Sequence, residues 1–431
     1  MASSRPQSGL WAPNPVSLSN LRQRKAFQSR MVLEGQAVEK PWLESKQRRT
    51  ADRRAYWVFV CACMLGLAAA GVVMWLGIRS IPYNDKYCLV MDEQFEGDSL
   101  NTDIWHHELE TGGFGNGEFE WTTNSPNNSY VKDGQLFIVP TLTSDQFGEA
   151  AIYDGATLNL TTSGLCTSTL SDPEKRDLAC AVVSNSTAGV ILPPVQSARI
   201  TTNFSRTIKY GRVEVRAKMP TGDWIWPAVW MMPKDSVYGP WPRSGEIDIF
   251  EGKGNMPTSR QDIVANAMRS TLHWGPIAGL DRYWKTDKVR RLLRNYYNQR
   301  YHTFGMEWTE EGIYTWSGTR AYKTLSYKFD NAGFWDKGEF PAAAMNGSAI
   351  YNPWGNRKQA PFDQDFFLIL NVAVGGTNGY FYEEDKPWSN SADADTARAD
   401  FWAARSSWWP TWGAPEERAM VVDYVKMWQK C

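Results

Sequence analysis

The chain is poor in the residues that hold metals. Its 431 residues include four histidines and six cysteines, none at metal-ligand spacing, which argues against a catalytic metal. It also lacks a basic surplus, with a formal net charge of -1. That near-neutrality hides an asymmetry, because residues 1–55 hold eleven Lys/Arg and four Asp/Glu, a charge of +7, while the remainder holds 35 basic and 43 acidic residues, or -8. An acidic globular part argues against a nucleic-acid partner, which would favour a basic face. The chain shows no internal repeat and no sign of a second folded domain, and no feature speaks to an oligomeric state.

Apolar periodicity is missing from residues 1–55, where Ser, Gln, Pro and Arg alternate without order. Such a stretch cannot offset its ordering entropy by burial, and a disordered basic tail is expected. Charge is missing altogether from Tyr56 to Ile78, a run of 23 residues that includes Val58, Phe59, Leu65, Val72 and Leu76. As a helix this run is about 34 Å long, enough for a hydrocarbon core of about 30 Å. A single transmembrane helix over 56–78 is therefore expected, with the lipid bilayer as its partner. Arg48, Arg49, Arg53 and Arg54 precede it and Arg79 alone follows, so the positive-inside rule places the N-terminus in the cytoplasm. This reads as a signal anchor in a single-pass type II arrangement, with a stem over 79–87 and a lumenal or extracellular domain over 88–431.

The cysteines suit that compartment. Cys61 and Cys63 fall in the apolar run, leaving Cys88, Cys166, Cys180 and Cys431 as an even set with three possible pairings. End strands often lie side by side, which favours Cys88 with Cys431 and Cys166 with Cys180. Glycosylation sequons stand at Asn127, Asn159, Asn185, Asn203 and Asn346.

What the chain has in abundance is aromatic side chains and short strands. Arg212 to Lys218 alternates charge with Val213, Val215 and Ala217, Phe366 to Val374 is nearly all apolar, and Met420 to Trp428 is rich in Val and aromatics. The run containing Val289, Leu292, Leu293 and Tyr296 has helical spacing and predicts one helix. The pattern is that of an all-β sandwich or barrel.

One stretch concentrates acids: Ser-Gly-Glu-Ile-Asp-Ile-Phe-Glu-Gly-Lys from Ser244 to Lys253. Neighbouring side chains of a strand face opposite ways, so Glu246 and Asp248 share one face while Ile247 and Ile249 bury on the other. Glu251 falls on the wrong parity. A β-bulge at Ile249 or Phe250 returns it to the acidic face, which avoids burying a carboxylate among Ile and Phe. Three acids on one face repel one another and raise the pKa of at least one, the pairing of protonated and ionised carboxyls that glycosidic bond cleavage uses.

This segment is joined by Gly-Asn-Gly-Glu-Phe-Glu-Trp at 115–121, Tyr-Gly-Arg-Val-Glu-Val-Arg-Ala-Lys-Met-Pro at 210–220, Trp-Pro-Ala-Val-Trp-Met-Met-Pro at 226–233 and Leu-Asn-Val-Ala-Val-Gly-Gly at 370–376. With these motifs in this order, Cys88 to Cys431 resembles glycoside hydrolase family 16 enzymes of the laminarinase type, together with their relatives the invertebrate β-1,3-glucan-binding proteins. The resemblance implies a jelly-roll sandwich of two antiparallel sheets with a concave substrate cleft. It implies Glu246 as nucleophile, Asp248 as its electrostatic helper and Glu251 as general acid/base of a retaining mechanism. Trp226 and Trp230 lie in the motif that forms the cleft floor, where a flat indole suits the C–H face of a pyranose. Asn116, Glu118 and Trp121 fall in a motif resembling a subsite loop, and His273 stands where a family histidine can bond to the acids. No cofactor is implied for catalysis. Many family members carry a structural calcium ion, and Glu93 and Asp423 resemble contributors to its site.

The function these features imply is a membrane-anchored retaining hydrolase cleaving internal β-1,3 or mixed β-1,3/1,4 linkages of β-glucan. The same acids suit a cell-wall glucan transglycosylase, and the binding-protein relatives suggest recognition or synthesis-associated roles without catalysis.

Overall fold

The computed structural model describes residues 35, 37, 39–41, 45–79 and 86–431, which fall into two compact units divided at Ser80 and Ile81. The first unit contains one long helix, Lys46–Arg79, whose 34 residues are long and apolar enough to cross a membrane. The expected span 56–78 lies inside it, but the helix starts ten residues earlier. Residues 46–55 are thus helical rather than part of a disordered tail. Ser45 Oγ accepts from the Arg48 N–H at 3.3 Å, an N-cap bond, and Lys, Gln, Arg and Ala then favour the first turns. Nearly all the rest of the expected tail and most of the stem, 80–85, lie outside the described residues.

The second unit is a jelly-roll sandwich built on two eight-stranded antiparallel sheets. In the first, Gly211–Lys218 lies between His302–Thr309 and Met420–Lys430. Its residues alternate buried and half-buried, so Val213, Val215 and Ala217 enter the core while Arg212, Glu214 and Arg216 face outward. In the second sheet the order is Asp287–Arg291, Ala267–His273, Glu246–Glu251, Ile225–Pro233, Phe366–Val374, Arg199–Thr201 and His106–His107. Phe366–Val374 is buried along its whole length. Ile200, Val229, Met231, Ile247, Leu272, Leu370 and Val372 put one face of this sheet into the shared core.

Cys88 is bonded to Cys431 and Cys166 to Cys180. The first bond ties the opening strand Tyr87–Glu93 to the closing strand Met420–Lys430, with which it already pairs. All five sequon asparagines are exposed or half-exposed.

The helix expected from Val289, Leu292, Leu293 and Tyr296 is not formed. Val289 belongs to the edge strand Asp287–Arg291, which pairs with Ala267–His273, and Leu293 is 97% exposed. Pairing with an available sheet edge outweighed a weak helical period, and the lysine and arginines of the segment guard that edge. The two longest helices of this unit each carry an aspartate cap. Asp172 caps Pro173–Cys180, and Asp393 caps Ala394–Ala403.

Candidate active site

Glu246–Glu251 runs between Ile225–Pro233 and Ala267–His273. Gly245 precedes it with φ +82°, and a Cβ there would stand 3.0 Å from the Phe362 ring, so the sharp entry into the strand requires glycine. Trp230 pairs with Asp248 but Val229 with Phe250, leaving one extra residue on the acid strand. The other neighbour shows the same shift, with Asp248 opposite Thr271 and Glu251 opposite Arg269. Ile249 and Phe250 are both buried in the core, and Glu251 returns to the face of Glu246 and Asp248. There the Trp226 Nε1–H donates to Glu251 Oε1 at 3.2 Å.

Glu246 accepts from the Trp241 Nε1–H through Oε2 at 2.7 Å. His273, on the adjacent strand, faces all the remaining negative charge. Its Nε2 lies 3.2 Å from Asp248 Oδ2 and 3.9 Å from Glu246 Oε1, and its Nδ1 lies 2.5 Å from Asp281 Oδ2. Asp281 is itself held by the backbone N–H groups of Trp274 and Tyr283. Burial opposes a charge on His273, but Glu246, Asp248 and Asp281 outweigh it and hold the imidazole well above its ordinary pKa. These carboxylates favour the imidazolium form, with Nδ1 hydrogen-bonded to Asp281 and Nε2 within ion-pair distance of Asp248.

Burial and the neighbouring Asp248 push Glu246 up to about 8, opposed by His273 and the Trp241 N–H. Burial and the charge of Glu251 push Asp248 up to about 6, opposed by His273. These two acids act as a pair, so the values belong to the pair and one proton is shared between them near neutrality. Asp248 is fully buried while the Glu246 side chain keeps 16% of its surface exposed and a direct indole donor. The exposed edge and the indole donor of Glu246 lower the cost of a charge there, and His273 Nε2, closer to Asp248 than to Glu246, lowers it for Asp248. Burial also raises Glu251, opposed by His273 and Arg269.

Among the described residues, Glu246, Asp248 and His273 form the one group of potential metal ligands, with ligand atoms within 4.8 Å of one another. Glu93 and Asp423 do not fit a shared calcium site. Glu93 accepts from the Phe95 N–H and the Trp105 indole, and Asp423 is paired with Arg216.

Beside the acids, Trp226 stacks on Tyr380 at 4.0 Å and 11°, and the Tyr380 hydroxyl donates to the Gly252 carbonyl at 3.0 Å. The Trp230 indole donates to Asn371 at 2.8 Å, and the Arg199 guanidinium lies 4.7 Å from the Trp230 ring and 4.1 Å from that of Phe114. Behind Tyr380, the buried Lys253 ammonium is 4.8 Å from its ring and 2.6 Å from Asp262, which also holds Arg269 at 2.6 Å.

The expected rim motif divides. Asn116 stays half-buried and pins the rim to the loop beyond Val374, bonding to Asn378 and Thr377. Glu118 and Trp121, expected to touch sugar, point inward instead. Glu118 is buried and accepts from Asn116 at 2.9 Å, and the buried Trp121 indole donates to Thr143. The short strand Glu120–Thr122 pairs in parallel with Val195–Ser197, and Trp121 is buried in the shared core. Trp241, Asp281, Tyr380 and Arg199 were not singled out by the sequence. Only Trp241 carried a local signal, five residues before Glu246.

The pattern of glycosyl hydrolases family 16 matches residues 159–356. The β-1,3-glucan-binding protein of Penaeus monodon is 39% identical over 384 residues, covering 86% of this chain and 96% of that protein. Glucan endo-1,3-β-glucosidase A1 of Niallia circulans is 31% identical over 67% of this chain, which spans 34% of that protein. The endo-β-1,3-glucanase structure from Pyrococcus furiosus superposes with a TM-score of 0.49 at 22% identity, covering 80% of this chain and 95% of that one. By its identity with a relative matched over nearly its whole length, this chain is a member of glycosyl hydrolase family 16.

Proposed function

We propose that the protein is a retaining glycoside hydrolase that cleaves internal β-1,3 linkages of glucan. The observation that carries this reading is the bulged strand on which Glu246, Asp248 and Glu251 share one face, the outer two each held by a tryptophan N–H. In the proposed reaction the ionised Glu246 attacks the anomeric carbon while Glu251 gives its proton to the leaving glycosidic oxygen. Glu251, now a carboxylate, then takes a proton from water, whose oxygen displaces Glu246 from the glycosyl-enzyme. Asp248 shares one proton with Glu246 and takes it when Glu246 ionises, and His273 stabilises the charge that returns to Glu246. Trp226 and Trp230 offer apolar planes to the pyranose faces.

The long helix Lys46–Arg79, with four arginines at 48, 49, 53 and 54 on one flank, supports a type II membrane anchor. Disulfides and exposed sequons in the second unit are consistent with the oxidising side.

A second reading, recognition without turnover, is favoured by the name of the Penaeus monodon relative. The two separate in one assay. Purified full-length protein in detergent is incubated with linear β-1,3-glucan, and products are followed by size and anomeric form. Shorter chains released first as β-anomers support the hydrolase. Glu246→Gln should then lower turnover by on the order of 10⁴-fold or more while glucan binding persists. Binding without products in the wild type would transfer the function to recognition, and products longer than the donor would indicate transglycosylation.

A further inference from the structure

Single exposed aromatics are common on protein surfaces and mean little. Tyr283 and Trp284 differ because each is 40% or more exposed and packed on one side, Tyr283 against His273 beside the candidate acids and Trp284 against Tyr283. The Tyr283 ring stacks on His273 at 5.3 Å and 29°, and its backbone N–H donates to Asp281 at 3.2 Å. The Trp284 ring meets Tyr283 edge-on at 5.6 Å and is backed by the Arg282 guanidinium at 5.1 Å. Arg282 in turn donates through Nε to the Gly338 carbonyl at 2.9 Å and lies over Phe340. The backbone beneath is also held, since Arg282 N–H bonds to Trp274 O and the Thr286 hydroxyl joins Leu272 O to the Trp274 indole.

These rings are continuous with the acids. Trp241, 41% exposed and bonded to Glu246, lies 5.8 Å from His273, which leads on to Tyr283. Tyr283 and Trp284 lie in the 3-10 turn Tyr283–Lys285 of the connection joining Ala267–His273 to Asp287–Arg291, strands on one side of Glu246–Glu251, whereas Trp230, Asn371 and Arg199 belong to strands on the other. We propose that Tyr283 and Trp284 form a stacking platform for further glucosyl units of the bound β-glucan, so that aromatic planes grip the chain on both sides of the point of cleavage.

The physical argument is preorganisation. A ring fixed by packing on one face and open on the other loses little conformational freedom when a pyranose covers the open face. A platform on each side also favours binding across an internal linkage over binding at a chain end.

This inference rests on the reading of the cleft given above, and its test does not require turnover. In a Glu246→Gln background of the full-length protein, affinities are measured by calorimetry for a series running from laminaribiose to long laminarin. Adding Tyr283→Ala and Trp284→Ala should weaken the long chain by about tenfold or more while leaving the disaccharide nearly unchanged. Tyr283→Phe with Trp284→Phe should keep most of the affinity, which a loss through misfolding would not. Equal loss at every length, or no loss at all, overturns the platform alone. A Glu246→Gln protein that binds no β-1,3-glucan of any length overturns the cleft reading and the platform together.

Discussion

Replacing His273 by Gln should displace the whole pH profile toward alkali. The imidazolium lowers the pKa of Glu246, Asp248 and Glu251 together. Glutamine keeps a polar side chain of similar reach and removes the charge. At 3.9 Å from Glu246, one charge contributes about 4 kcal/mol at an effective dielectric of 20. Glu246 retains some contact with water, and about a third to a half of that term survives, corresponding to about one to one and a half pH units. The acidic limb of kcat/KM is set by the Glu246 and Asp248 pair, whose lower value is about 6, and below it both acids are protonated. Since removing the cation raises that value, the acidic limb moves up. The alkaline limb is set by loss of the Glu251 proton, and because His273 also lowers Glu251, this limb moves up as well. The assay is kcat/KM on laminarin from acid to alkaline pH for both proteins. A variant whose maximum falls without displacement, or whose limbs move toward acid, refutes the electrostatic role.

Two further outcomes follow from the packing around Glu251. Trp226→Phe removes the indole N–H that favours ionised Glu251, so the alkaline limb alone should move upward by about half a pH unit or more, with the acidic limb unmoved. Lys253→Met leaves Asp262 with Arg269 as its remaining close cation, and equilibrium unfolding in denaturant should show a loss of about 3 kcal/mol, the low end for breaking a buried pair. A loss under about 1 kcal/mol would show the pair to be replaceable by apolar packing.

Much of the site could be read before any fold was known, because it lies in one strand. Strand parity placed Glu246 and Asp248 together, and the cost of burying a carboxylate among Ile249 and Phe250 required the bulge that the register shift displays. The uncharged run from Tyr56 to Ile78 likewise specified its own helix, although the start at Lys46 depended on the Ser45 cap and the helix-forming residues after it. Where two local readings competed, sequence was a poor judge. Val289 and Leu292 have helical spacing, yet a sheet edge was available, and backbone pairing took Val289 into a strand.

The sequence by itself determined which residues could be acids on a shared face, which stretch could leave water, and which strands alternate. Tertiary structure alone decided what meets those acids. His273 reaches Asp281 around a turn, Trp226 finds Tyr380 from a distant loop, and Arg199 settles between Phe114 and Trp230. Parity also could not tell that Trp121 would be buried, since that depended on the core it joins and on Thr143, more than twenty residues away. The physical reason is that side-chain period specifies a face, whereas what packs on that face is set by register and loop path across the whole sandwich.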